Sequence, residues 1–330
     1  MEENSFRFVP TLPPAPDPGR AKKEFSRLGF ALLAFLAAAT LLQVAAYYVL
    51  SLPGMPQSEL LTWGLCYVVP VYVVGVSAAL LIMRRVPAER FEARPLGAGK
   101  LLLCFLMCFP IMYAGNLIGT LLSYMFSAGE AENPLASLVT DGGWVQVVVL
   151  AVLAPIFEEF IFRKQLIDRI GRYGEKNAIF FSALCFGLFH GNLYQFFYAF
   201  GLGLLFAWIY TRTRRLRYSV ILHMAVNFIG SVVAPWVMNR TDLDAVDALL
   251  AGSMDADLSG VMPMYLYGLA ILGLSIAGFV LLIRRRRDFL ILPTAEELPR
   301  GTAFRVSCLN PGVILFALVC FGMFVYVLVA

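Results

Sequence analysis

Seven apolar stretches, each long enough to cross a bilayer, constrain this chain more than anything else in it: Leu28–Leu50, Leu61–Met83, Leu101–Phe126, Trp144–Phe162, Tyr218–Met238, Met262–Ile283 and Pro311–Ala330. A spanning helix needs about 20 predominantly apolar residues, because every backbone N–H and C=O must be satisfied within the segment. Two further runs, Ala178–Gly191 and Tyr194–Thr211, are separated only by Asn192 and Leu193. The first is short, so the pair reads as a helical hairpin whose tip stops inside the bilayer. The expectation is an all-α fold, a polytopic transmembrane bundle of about eight or nine hydrophobic helices.

Composition agrees. The hydrophobic set makes up 60% of the 330 residues and charged residues only 15%, against about 45–50% and about 25% in soluble domains. No soluble interior of this length could hide that excess, and collagen-like, disordered and disulfide-scaffold classes are excluded by the same figures. The cysteines Cys66, Cys104, Cys108, Cys185, Cys308 and Cys320 lie in or beside apolar runs with no CxxC pair, and read as small buried hydrophobes. No internal repeat of the transporter kind stands out. The domain division expected is a flexible cytoplasmic tail over 1–25, proline-rich and not a signal peptide, followed by a membrane domain over 26–330.

The net charge of +4 matters less than where the charges fall. Working from an N-terminus inside, every Lys and Arg except Arg240 lies in the tail or in a connection on the inner side. Outer connections are acidic, with Glu130, Glu132, Asp141, Asp242, Asp244, Asp247, Asp255 and Asp257. The bias predicts the N-terminus in and the C-terminus out. The basic runs serve as topology signals, with no nucleic-acid partner expected.

Ionisable groups inside a span cost roughly 2.5–3.5 kcal/mol each on insertion scales, so those that occur are candidates for function. Only two carboxylates fall within the predicted spans, Glu158 and Glu159, and both histidines of the chain, His190 and His223, also lie in apolar segments. Glu159 and Arg163 are four residues apart and can pair on one face. Glu158 is rotated about 100° from Glu159 on a helix, which points to a different job. His223 and Asn227 share a face, and Phe186 sits one turn before His190, able to wall or stack on it. Ala154-Pro155, just ahead of the carboxylates, interrupts backbone bonding and can open a pocket. The plainer alternatives are a structural Glu159–Arg163 pair and an Asn227 that merely bridges helices.

These residues fall into three ordered motifs: EEFIFR (Glu158–Arg163), FGLFH (Phe186–His190) and HMAVN (His223–Asn227). In order and spacing they resemble the EExxxR, FxxxH and HxxxN motifs of the CPBP family, also called Abi or CAAX-protease-like intramembrane peptidases, which includes the Ras-converting CAAX prenyl endopeptidase. The glycine-bearing run FGLGLLFAWIYTRT between the histidine motifs is also similar. The resemblance covers about 144–238, the family-like catalytic core. It implies an endopeptidase that hydrolyses a peptide bond of a membrane-associated protein or peptide at the lipid bilayer, without an obligatory cofactor. Carried over, Glu158 would be the general base and His190 would orient and activate the water. His223 and Asn227 would form an oxyanion hole, with Glu159 and Arg163 holding these groups in place.

The chemistry is coherent: amide hydrolysis by water needs a base and donors aimed at the developing oxyanion. A zinc-dependent version would use Glu159 or Glu158 with His190 and His223 as three ligands with an open position, although HExxH is absent. A proton-coupled transporter and a non-catalytic scaffold are the alternatives from other classes. The expected setting is a bacterial plasma membrane. One difficulty is depth: Glu158 and His223 lie toward the inner ends of their spans, whereas His190 ends an outward run. A half-depth hairpin, or a re-entrant start after Tyr173-Gly174, would bring it to them.

Overall fold

The computed structural model describes residues 16–56, 58–89, 91–134, 143–252 and 258–329. The chain runs through α1 (Pro18–Leu50), α2 (Glu59–Met83), α3 (Ala98–Ser127), α4 (Trp144–Tyr173), α5 (Glu175–Phe189), α6 (Leu193–Thr213), α7 (Leu216–Met238), α8 (Leu243–Leu250), α9 (Leu258–Arg284), α10 (Arg300–Cys308) and α11 (Pro311–Val329). No strand occurs among the described residues. Eight of these helices are long and apolar enough to span a membrane, and the protein is an integral membrane protein with a polytopic helical fold.

Two boundaries differ from the sequence reading. Residues 18–25, expected in the tail, form the first turns of α1: Asp17 caps it by accepting from the Gly19 and Arg20 amides, and Ala21, Glu24 and Phe25 are buried. Residues 1–15, with Arg7, lie outside the described residues, as do Arg90, Asp141, Asp255 and Asp257. The fourth span does not stop at Phe162 but continues to Tyr173. Its extension buries Asp168 and Arg172 as well.

The short run before the third motif is a helix of 15 residues, α5, about 22 Å long at 1.5 Å per residue against a hydrocarbon core of about 30 Å. Gly174, at φ +120, turns the chain sharply from α4 into α5, and Gly191, at φ +66, reverses it into α6. Asn192 then caps α6 by accepting from the Gln195 amide. The result is a tight α5–α6 hairpin.

That hairpin is the centre of the bundle. α6 packs along both α5 and α3, while α1 packs against α2 and α11. The α3–α6 seam depends on glycine. A Cβ on Gly115 would stand 2.5 Å from the Tyr198 amide nitrogen, and one on Gly119 would stand 2.3 Å from the Leu193 carbonyl oxygen. One apolar core joins α1, α4 and α5 through Phe25, Phe162 and Phe181. A second joins α3, α6 and α7 through Cys108, Phe206 and Leu222. α9 runs along α3 and leaves most of its surface exposed, as a lipid-facing helix does. All six cysteines are free and buried.

Candidate active site

Proline shapes the two helices that carry the site. In α4 the turn Val148–Leu153 is π-helical, and the Ala154 amide donates to the Val149 carbonyl. The Leu150 carbonyl would bond the amide of residue 155 in that pattern, but residue 155 is Pro155 and has no N–H. Asn227 fills the gap, its Nδ2 donating to the Leu150 oxygen at 2.9 Å. In α7 the turn Ile229–Val233 is likewise π-helical ahead of Ala234-Pro235, with the Ala234 amide donating to the Ile229 carbonyl. Such π turns widen a helix locally and recur at functional sites. Here they let α4 and α7 part around a cavity of about 380 Å³, walled by α3, α6 and α9 as well.

Glu159 faces away from that cavity. It is fully buried, with Oε2 at 3.1 Å from Arg163 Nε and Oε1 at 3.2 Å from His223 Nδ1. Arg163, equally buried, donates from Nη1 to Ser182 Oγ at 2.9 Å, and Ser182 passes its own proton to the Phe162 carbonyl at 2.6 Å. The guanidinium also lies 4.6 Å from the centre of the Phe186 ring. Phe186 meets His190 and His223 edge-on, at 4.9 and 5.6 Å between ring centres. It therefore spaces the two imidazoles while Arg163 and Glu159 fix it and His223 from behind.

Glu158, rotated away on the same helix, lines the cavity with His190, His223 and Asn227. Its Oε2 is buried without a hydrogen-bond partner and stands 3.7 Å from His223 Nε2. A buried polar atom left unpaired is costly, so this oxygen is an acceptor awaiting something in the cavity.

The partners of the two rings determine their tautomers. His190 Nδ1 is 2.8 Å from the Phe186 carbonyl oxygen, which can only accept. The ring nitrogen must carry the proton there, leaving Nε2 as a lone pair. His223 Nδ1 faces the Glu159 carboxylate in the same sense, so its Nε2 is also a lone pair while the ring is neutral. The cavity thus presents two imidazole lone pairs and a carboxylate, all acceptors. For His223 to donate from Nε2, its ring must be the imidazolium, with Nδ1–H held on the Glu159 carboxylate at 3.2 Å.

All the residues expected from the sequence meet here: Glu158, His190, His223 and Asn227 on the cavity, with Glu159, Arg163 and Phe186 behind or beside them. The short α5 brings His190 to the depth of α4 and α7. As a zinc set, Glu159, His190 and His223 do not assemble, because both Glu159 oxygens are committed to Arg163 and His223. Among the described residues no three His, Cys, Asp or Glu side chains converge so as to hold a metal ion. Several cavity groups were not anticipated. Tyr198 and Gln195 of α6 line it, as do Tyr113 and Tyr267, which share a hydrogen bond of 2.9 Å across α3 and α9. The sequence signal for Gln195 was its polarity in an apolar run. The tyrosines carried none.

Residues 140–229 match the family described as Type II CAAX prenyl endopeptidase Rce1-like, a segment holding all three motifs. The chain is 29% identical over 164 residues to the Bacillus subtilis (strain 168) protein named "Putative membrane peptidase YdiL", covering 47% of this chain and 66% of that protein. No solved structure matches. The chain spans just under two thirds of the length of YdiL, and the family match covers α4 to most of α7 and leaves the other helices uncovered. Over this segment the chain is similar to CAAX-protease-like membrane proteins.

Proposed function

We propose that the protein is an intramembrane endopeptidase that hydrolyses a peptide bond of a membrane-associated protein or peptide with a water activated by Glu158 and His190. The observation that carries this reading is the unpartnered Glu158 Oε2 facing His223 Nε2 in a mostly apolar cavity. A water between Glu158 Oε2 and the His190 Nε2 lone pair donates one proton to each acceptor. On attack its O–H bond to Glu158 breaks, the carboxylate takes the proton, and the oxygen bonds the substrate carbonyl carbon. When the tetrahedral species collapses, the C–N bond breaks and the leaving amine takes the proton from Glu158.

The oxyanion meets the second Nδ2 hydrogen of Asn227 and the Nε2–H of the His223 imidazolium, whose Nδ1 is anchored on Glu159. In a mostly apolar cavity each such donor counts for more than it would in bulk solvent. A zinc-dependent version has one observation in its favour: each histidine anchors Nδ1–H on an oxygen and frees Nε2, as metal ligands do. The lack of a converging trio among the described residues weighs against it. A transporter would need a relay between the two faces, whereas Glu159 and Arg163 are closed upon each other. The setting proposed is a bacterial plasma membrane with the N-terminus cytoplasmic.

The test is cleavage of a mixed pool of lipidated and unlipidated peptides by the purified protein in detergent, scored by mass spectrometry. Wild type should cleave and survive chelator, while Glu158→Ala should lose at least about 10²-fold, the scale of general-base catalysis. Loss of cleavage in chelator moves the reading to zinc. Cleavage retained in Glu158→Ala overturns the role of that carboxylate.

A further inference from the structure

The wall of the cavity made by α6 carries a hydrogen-bond chain with a loose end. Asn192 Nδ2 donates to the His190 carbonyl at 2.8 Å and to Gln195 Oε1 at 2.9 Å. This fixes the Gln195 amide, whose Nε2 then donates to Tyr198 Oη at 3.0 Å. The Tyr198 oxygen is therefore an acceptor toward Gln195, and its own O–H hydrogen has no acceptor among the described residues. Tyr198 lines the same cavity as Glu158, His190, His223 and Asn227. Its backbone is held against α3 at Gly115, where no side chain fits, so the ring is set on a rigid seam.

Donor counting says why that hydrogen matters. Glu158 Oε2 and the two Nε2 atoms are acceptors while the histidines are neutral. Asn227 has already given one amide hydrogen to the Leu150 carbonyl. A substrate carbonyl becoming an oxyanion needs donors that are present before the reaction begins. The Tyr198 hydroxyl is such a donor, oriented in advance and independent of the protonation of His223. We propose that Tyr198 is a further catalytic residue, donating its hydroxyl hydrogen to the oxyanion of the tetrahedral species, with Gln195 as its positioning residue. The proposal rests on the peptidase reading above. In the step itself the hydroxyl keeps its proton: it strengthens a hydrogen bond as charge grows on the substrate oxygen, and no bond to Tyr198 is made or broken.

The experiment uses the full-length protein in detergent and a peptide from the pool that wild type cleaves. Tyr198→Phe should lower kcat by about 10²-fold, the usual loss for one oxyanion donor, with KM within about threefold. Gln195→Leu frees the tyrosine from its amide and should lower kcat by roughly tenfold with KM again held, the smaller loss expected of a residue acting through another. A phosphonamidate analogue of the cleaved peptide, which mimics the tetrahedral oxyanion, should bind Tyr198→Phe more weakly by the factor lost in kcat, as transition-state stabilisation requires. A folded Tyr198→Phe with wild-type kcat, or with analogue affinity unchanged, overturns the proposal and leaves the peptidase reading intact. A loss confined to KM also overturns it, since that marks a substrate-binding contact. If wild type cleaves nothing in the pool, the peptidase reading fails and takes this role with it.

Discussion

At the scale of single residues the least replaceable contact is the one between Glu159 and Arg163. Both side chains are fully buried and each depends on the other for its counter-charge. Removing one partner of a buried pair typically costs about 3–5 kcal/mol because the remaining charge is left uncompensated. Glu159→Gln should therefore unfold at clearly lower temperature than wild type, read by thermal shift in detergent. It should also cleave slowly, since His223 loses the carboxylate that orients its ring through Nδ1. The double variant Glu159→Gln/Arg163→Met separates the two effects: with no orphaned charge it should recover most of the stability but not the activity. If activity returns together with stability, Glu159 is only a structural anchor and the assignment of His223 as a charged donor falls. Much of this was legible in the sequence because carboxylates and histidines in apolar runs are rare. Which ring nitrogen bears the proton was not. That depends on the Phe186 carbonyl and on one Glu159 oxygen, which adjacency in the chain does not reveal. Tyr198 was invisible for a different reason: a tyrosine in a membrane helix is ordinary, and only its place beside Gln195 gives it a job.

At the scale of elements, the sequence predicted the spans but misplaced where several begin and end. The fourth span was cut at Phe162 because Arg163, Lys164, Asp168, Arg169 and Arg172 read as an inner loop. In the fold those charges are paired or hydrogen-bonded in place: Lys164 reaches Asp168 at 3.5 Å, Arg172 pairs with Glu24 at 2.6 Å and Arg169 donates to the Met83 carbonyl at 2.9 Å, so the helix continues through them. The hairpin was legible in outline. Its shortness followed from counting, and its consequence, His190 at the depth of Glu158, needed the packing of α5 on α4. A half-depth α5 makes a prediction. In a cysteine-free background, a single cysteine at Leu193 should react slowly with a membrane-impermeant maleimide added from either side of sealed vesicles. A cysteine in the Arg240–Gly252 connection should react fast from one side. Rapid labelling of position 193 from outside means that α5 crosses the bilayer, and the geometry that unites the two histidines would then have to be abandoned.

For the whole molecule the question is sidedness, and here charge and packing converge by separate routes. The positive bias was read from the linear sequence alone. In the fold, the same residues are stitched to one another at one end of the bundle. Glu24 of α1 takes Arg172 Nη2 at 2.6 Å and the Tyr173 hydroxyl at 2.8 Å from the end of α4. Glu175 at the start of α5 pairs with Arg212 near the end of α6 and accepts the Leu292 amide at 2.6 Å. Trp208 Nε1 donates to the Leu290 carbonyl at 3.2 Å, and Arg214 reaches Asp168 at 3.6 Å. The start of α1, the α4–α5 and α6–α7 turns and the α9–α10 connection therefore lie together, as alternation with α5 and α6 counted as a returning pair requires. Miscounting one span would have split this group between the two ends. The positive-inside rule predicts that end in the cytoplasm, where the lipids are anionic, and the Arg240–Gly252 connection outside. Alkaline phosphatase inserted after Gly252 should be active in cells, and a green fluorescent protein inserted there through the general secretion route should be dark. The same pair placed in the α9–α10 connection should give the reverse. If both sites report the same side, the bundle is not inserted as one alternating unit. If both report the opposite side, the fold stands and only its orientation is inverted, which would put Glu158, the proposed general base, nearer the outer leaflet.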